Sequence, residues 1–292
     1  MKKKIFSKDR NRMFNYIWNL FCNFLSLFSK NDIVQMSNDE NTSNELFDDP
    51  IKVGLLVGCN YRGTTSELRG CINDVKTIER ELFPKRNYDY ILTLTDDTTI
   101  LPTREHILNN LKQMLDKLQD GDTFFFHCSG HGTQQVDRNN DEIDGKDEAF
   151  VSLDMKIITD DLFQMLFQSV KKKANIFILM DCCHSGTIID LPYSLQSPSG
   201  KIIQNNSFVF YPNIVMISGC QDKQVSYDAF INEKHQGALT FAFRTALQNF
   251  RSYEPIKTRM FLDIVHRILK QRNYPQLPQL SFSKSECEYF EI

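Results

Sequence analysis

The sequence predicts an α/β protein with a mostly parallel central β-sheet flanked by α-helices on both faces. Two observations carry this. Short apolar runs bounded by turn signals, such as Phe124-Phe125-Phe126 and Ile176-Phe177-Ile178-Leu179-Met180, read as strands covered on both faces. Longer stretches with apolar residues at helical spacing separate them, and strands that alternate with amphipathic helices build a parallel sheet.

Taken in order, Ile51 to Cys59 is the first strand and Asn60 to Thr65 a loop. Asp74 to Phe83 follows as a helix, with apolar positions at 75, 78, 82 and 83. Tyr90 to Thr95 is strand two, and Thr103 caps a helix that runs through Leu118. Thr123 to Cys128, Asn175 to Asp181 and Ile214 to Ser218 are strands three to five. Gly237 to Phe250 and Arg259 to Arg272 are amphipathic helices. Pro275 and Pro278 close the helical region, leaving Gln279 to Ser283 as a last edge strand. The Pro-, Ser- and Asn-rich stretch from Leu191 to Phe208 reads as an exposed loop.

The 292 residues, 41% hydrophobic and 12% aromatic, suffice for one sizeable core plus an extension. A formal charge of −3 provides no basic field, so nucleic acid is not an expected partner. The eight cysteines contain no C-x-x-C pair and sit mostly in apolar runs, which is reduced, cytoplasmic usage and neither a disulfide framework nor a zinc site.

The N-terminal residues 1–30 form their own segment. Asn11, Asn15, Asn19 and Asn23 recur every four residues, so a helix here carries a polar stripe opposite a wide face of Phe, Trp, Ile and Leu. Three readings stay open: peripheral membrane contact through residues 5–28, docking on the protein's own domain or a partner, or a leader that is cleaved or disordered. Residues 31–49 are polar and acidic and read as a linker.

The chemistry gathers where two apolar runs end. Phe124 to Phe126 leads into His127-Cys128-Ser129-Gly130-His131-Gly132, and Ile176 to Met180 leads into Asp181-Cys182-Cys183-His184-Ser185-Gly186. In open α/β sheets ligands bind beyond the carboxyl ends of the strands, so a His at one end and a Cys at the other can meet. Such a pair matters because an adjacent imidazole makes the attacking thiolate. His127, inside its strand, reads as structural; Cys182 and Cys183 point to opposite faces, so at most one of them faces His131. Between these runs, Asp137 to Asp161 reads as a solvated acidic loop or as a set of hard oxygen ligands suited to calcium.

A Cys with a His about 50 residues upstream has the spacing of caspases, although the Gln-Ala-Cys signature is absent. What these motifs resemble is the metacaspase branch of the caspase-like clan, in a type I arrangement. The resemblance runs from about Ile51 to the C-terminus and includes Leu68-Arg69-Gly70-Cys71-Ile72-Asn73-Asp74-Val75, Thr159-Asp160-Asp161-Leu162 and Ile217-Ser218-Gly219-Cys220-Gln221-Asp222. It implies a caspase-like fold over 50–292, with a large-subunit-like part 50–190, a connecting loop 191–212 and a small-subunit-like part 213–292. It selects Cys183 as nucleophile and His131 as acid and base, with an oxyanion hole near Gly132 and Cys183. Asp74 and Asp181, with Ser129 and the Cys71 backbone, would line a pocket for the Arg or Lys before the cut bond; Asp222 and Ser226 to Asp228 would edge it. Calcium, an activator, would be held by Asp147, Asp160, Asp161 and Asp190, and Lys201 is a candidate site of self-cleavage.

The expected function is therefore a calcium-stimulated cysteine endopeptidase, acting as a cytoplasmic and in part membrane-associated monomer on protein substrates with Arg or Lys before the bond. The alternative is a catalytically silent caspase-like scaffold anchored by the N-terminal helix.

Overall fold

The computed structural model describes residues 49–136, 146–182, 188–219, 228–231, 234–252 and 254–292. The segment 1–30 where a helix is expected, nearly all of the linker, Cys183 and Asp222 lie outside these residues. Of positions 226–228 only the backbone of Asp228 lies within them.

The elements follow in chain order. The first half contains β1 (Lys52–Gly58), α1 (Cys71–Arg86), β2 (Tyr90–Thr95), α2 (Arg104–Lys117), β3 (Thr123–Ser129), β4 (Gly132–Val136), β5 (Lys146–Val151), β6 (Ile157–Thr159), α3 (Asp160–Ser169) and β7 (Asn175–Asp181). The second contains β8 (Tyr193–Leu195), β9 (Ile203–Gln204), β10 (Asn213–Ser218), β11 (Asp228–Ile231), β12 (Lys234–Gly237), α4 (Ala238–Leu247), β13 (Ile256–Lys257), α5 (Thr258–Gln271), β14 (Gln279–Phe282) and β15 (Tyr289–Phe290).

The main sheet has the order β2-β1-β3-β7-β10-β14-β8-β9. Its first five strands are parallel, and β14, β8 and β9 are added antiparallel. Alternate residues of each strand point to opposite faces, and both faces are buried. Leu55, Val57, Phe124, Phe126, Ile178 and Met180 pack under α2 and α3. Leu56, Phe125, Phe177, Leu179, Val215 and Ile217 pack under α1, α4 and α5. On that second face Phe177 stacks on Phe125 with centroids 5.7 Å apart and meets Phe290 at 4.9 Å and Phe243 at 5.5 Å, which ties two strands, α4 and β15 together. Each such ring contributes about 1.5–3 kcal/mol by burial. The Thr103 hydroxyl accepts from the His106 N–H at 3.2 Å and so caps α2 as expected.

Three expectations are corrected. The acidic stretch from Asp137 to Asp161 is not simply loop: β4, β5 and β6 form a second, three-stranded antiparallel sheet, because Ala149, Phe150 and Ile158 are buried against the core and need paired backbone. Leu191 to Phe208 contributes β8 and β9 to the main sheet, with Leu191 and Leu195 buried; the strands are too short for their alternation to be read. Finally, β14 is not an edge. Its prolines precede it, its own amides are free to pair, and β10 and β8 cover both sides.

His127 lies fully buried in β3, and its Nδ1 sits 3.0 Å from the Leu179 carbonyl, which can only accept, so Nδ1 carries the proton. Burial pulls its pKa down to about 4. The neutral ring is thus favoured in the fold while the unfolded chain takes up a proton below its ordinary value near 6.5, so this contribution to stability is lost as pH falls from 6.5 towards 4. Urea unfolding of the parent protein and of His127→Leu from pH 7 to 4 is expected to show the parent losing ground to the variant by up to about 1.4 kcal/mol per pH unit across that window. A pH-independent difference would contradict it.

Candidate active site

The two strand ends that the sequence singles out are neighbours. β3 and β7 pair in register from Thr123 opposite Asn175 to Ser129 opposite Asp181, and the Gly130 N–H reaches the Asp181 carbonyl at 3.4 Å. His131 leaves the sheet two residues beyond Ser129. Cys182 is buried in the core face as a small apolar residue. Cys183 follows it, outside the described residues.

His131 is half-buried and held from three sides. Its Nε2 lies 2.8 Å from the Ser66 carbonyl. Since a carbonyl only accepts, Nε2 carries a proton, and in the neutral ring Nδ1 is then the nitrogen with the lone pair that a base requires. Its backbone N–H donates to the Tyr61 hydroxyl at 2.9 Å, and the Tyr61 ring lies against the imidazole with centroids 4.9 Å apart. Gly130 is needed here for space: a Cβ would stand 2.7 Å from the Tyr61 hydroxyl and 3.0 Å from the Phe150 ring. Neither Tyr61 nor Ser66 was singled out from the sequence, where both fall in or beside a stretch read only as loop.

Asp74 and Asp181 converge on the N-terminus of α4. Asp74, in the first turn of α1, accepts from the Ser129 hydroxyl at 2.8 Å and from the Gly237 N–H at 2.9 Å. Asp181 Oδ2 accepts from both the backbone N–H and the hydroxyl of Thr240, each at 2.8 Å. Both carboxylates are buried, and these donors at the positive end of the helix satisfy their oxygens. Cys71 opens α1 beside them: a Cβ on Gly58 would come within 2.8 Å of the Cys71 carbonyl, so strand and helix meet closely. Four of the predicted pocket positions, Cys71, Asp74, Ser129 and Asp181, thus gather at one end of the sheet; Gly237 and Thr240 join them unforeseen.

Asp147, Asp160 and Asp161 form a second cluster, with one oxygen from each lying within 4.8 Å of the others. β5 supplies Asp147 and the first turn of α3 supplies the other two. Asp160 accepts from the Glu148 N–H and the Asp161 N–H, both at 2.7 Å. Burial first, then the neighbouring charges of Asp147 and Glu148, push its carboxyl up to about 8 against those bonds. A largely buried set of hard oxygens, of which Asp160 resists ionisation, fits a divalent cation, whose charge would offset that repulsion. Asp190, buried in a left-handed turn at φ 48°, does not belong to this three-residue cluster.

Residues 52–192 match the family model described as the metacaspase, peptidase C14 domain. The chain is 34% identical over 262 residues to Metacaspase-5 of Trypanosoma cruzi, covering 79% of this chain and 57% of that protein. It is 30% identical over 291 residues to Metacaspase-1 of Meyerozyma guilliermondii, covering 80% of this chain and 69% of that one. The chain belongs to the metacaspase family. It spans between half and two thirds of the length of the relatives from Trypanosoma cruzi and Schizosaccharomyces pombe. The fold is likewise that of the caspases: Caspase-1 from Spodoptera frugiperda superimposes with a TM-score of 0.53 at 11% identity, over 83% of this chain and 88% of that one. Within this metacaspase framework the sheet ends, the His131 loop and the α4 N-terminus all fall in one region.

Gly237 tests how tightly that region is built. Its backbone is ordinary, at φ −65° and ψ 135°, yet a Cβ would stand 2.0 Å from Asp181 Oδ2 and 2.9 Å from Asp74 Oδ2. Gly237→Ala is expected to cost about 1–3 kcal/mol through overpacking, read as a lower urea midpoint with an unchanged slope. An unaltered midpoint would show that the carboxylates do not sit against this turn.

Proposed function

We propose that this metacaspase is a cysteine endopeptidase that cleaves after Arg or Lys, with Cys183 as nucleophile and His131 as acid and base. The observation that carries the reading is the imidazole itself. It stands beyond β3, beside the β7 end that leads into Cys183, with its proton on Nε2 and its Nδ1 free to take one.

Nδ1 takes the Cys183 proton as Sγ bonds to the scissile carbonyl carbon. When the C–N bond breaks, the leaving amine carries that proton away, and a thioester remains. Water adds to the thioester as Nδ1 takes its proton, the C–S bond breaks, and the proton returns to sulfur. The carboxylates of Asp74 and Asp181 supply the charge that would select Arg or Lys and repel an acidic side chain. Asp147, Asp160 and Asp161, with Asp190 as a fourth candidate, would hold calcium, which as a bound cation supplies charge compensation that stabilises this flank of the site. The exposed Lys201 is a candidate for self-cleavage. The cysteine usage of the sequence, with no C-x-x-C pair, is the basis for proposing a reducing, cytoplasmic setting.

The deciding assay measures hydrolysis of paired reporter peptides ending in Arg and in Asp by the full chain, with and without millimolar calcium. Turnover of the Arg peptide alone is expected, with a loss of roughly 10³-fold or more in Cys183→Ala and His131→Ala. No turnover of either peptide would favour the scaffold reading. The metal is tested separately by thermal unfolding: calcium is expected to raise the Tm of the parent by mass action and to leave Asp160→Asn nearly unmoved. Equal shifts in both proteins would remove Asp160 from the ligand set.

A further inference from the structure

The loop after β1 is built with more care than a connection needs. Tyr61 is fully buried, and its backbone takes φ 52°, a left-handed conformation that a bulky side chain keeps only where its surroundings enforce it. Here they do. Asp96 accepts from the amides on both sides of Tyr61, Asn60 N–H at 2.9 Å and Arg62 N–H at 3.3 Å. The Tyr61 carbonyl accepts from the Thr64 hydroxyl at 2.7 Å and the Thr64 N–H at 3.2 Å.

What this turn delivers is one phenol, placed at the base of the His131 loop. Its hydroxyl donates to the Val151 carbonyl at 2.6 Å and accepts from the His131 N–H at 2.9 Å. Val151 in turn donates its N–H to the His131 carbonyl at 2.9 Å, so both backbone groups of His131 are fixed through the same pair of partners. The ring of Tyr61 backs the imidazole, and Gly130 leaves the room for it. Burial pushes the phenol up and keeps it protonated, able to donate and accept at once. Five residues along the same loop, Ser66 supplies the carbonyl that fixes the imidazole proton on Nε2.

The geometry assigns Tyr61 as the positioning residue for the peptidase reaction: it holds the backbone and ring face of His131 so that Nδ1, and not Nε2, is presented to the thiol. This rests on the Cys183 and His131 reading given above. Tyr61 acts through the His131 backbone and ring, so its effect belongs to the chemical step and not to substrate binding.

The test compares parent, Tyr61→Phe and His131→Ala full-length proteins in peptide hydrolysis, with histidine ¹⁵N spectra of each. Tyr61→Phe keeps the ring and removes the tether. It is expected to lower kcat roughly tenfold to hundredfold with KM unchanged, and, by releasing the tether that keeps the imidazole against the Ser66 carbonyl, to let the Nε2–H tautomer of His131 mix with the Nδ1–H form, a signature that mere destabilisation of the fold does not produce. Unchanged kcat and an unchanged tautomer in Tyr61→Phe, with an active parent, would overturn the assignment and leave the peptidase reading standing. An inactive parent whose Cys183 alkylates as fast as in His131→Ala would overturn both. Should Tyr61→Phe fail to fold, Asp96→Asn decides in its place: it turns one of the two loop acceptors into a donor facing an amide while keeping Tyr61. The same kcat-only loss supports the assignment, and wild-type kcat rejects it.

Discussion

The pairing of β3 with β7 in the middle of the sheet is the constraint on which the rest depends. Each residue of β3 from Thr123 to Ser129 has a fixed partner in β7, so the chains that leave their carboxyl ends start from one place. A slip by one residue would exchange the two faces, setting Phe125 and Phe177 against α2 and α3 and lifting the Asp181 side chain away from α4. The register is held by burial: alternate side chains of both strands fit two different cores, and neither set is interchangeable with the other.

On that base, two separate pieces of chain finish the site. The loop from Asn60 to Ser66 governs His131 through a phenol and a carbonyl. The N-terminus of α4 governs Asp74 and Asp181 through backbone amides and the Thr240 hydroxyl. Both use backbone groups or uncharged donors to manage ionisable ones, which keeps fixed charges out of a buried region where an unmatched one is costly. The acidic cluster at β5 and α3 is managed differently. Its carboxylates face each other, and burial, together with that repulsion, raises the affinity of Asp160 for a proton.

The parallel half of the fold was legible because its strands are continuous apolar runs and its helices keep one clear stripe; β2 and β7 even have the bounds that their residues suggest. What was hidden lacks a period. β8, β9, β13 and β15 are two or three residues long, and β14 looked like an edge because its partner β8 could not be seen. Of the candidate site, Asp74, Ser129, His131 and Asp181 were singled out because they end runs or fit a family motif. Tyr61 was not, since its partners His131 and Val151 lie 70 and 90 residues away and the contacts run through their backbone. A contact with another residue's amide or carbonyl leaves no trace in residue type. The same holds for Gly237, whose lack of a side chain is explained only by two carboxylates from distant elements.

The outer strands have a further consequence. β8 and β9 pair with each other across the turn that contains Ser197 and Gly200, and Arg259 of α5 donates to the Pro198 and Gly200 carbonyls of that turn at 2.8 and 2.7 Å. β8 is also bonded to β14, near the far end of the chain. A break in the backbone between β8 and β9, beside Lys201, would therefore not let the two products part. The piece before the break would keep β8 clasped against β14 of the piece after it, and β7 would stay beside β10. The molecule would become a two-chain protein whose pieces share one sheet.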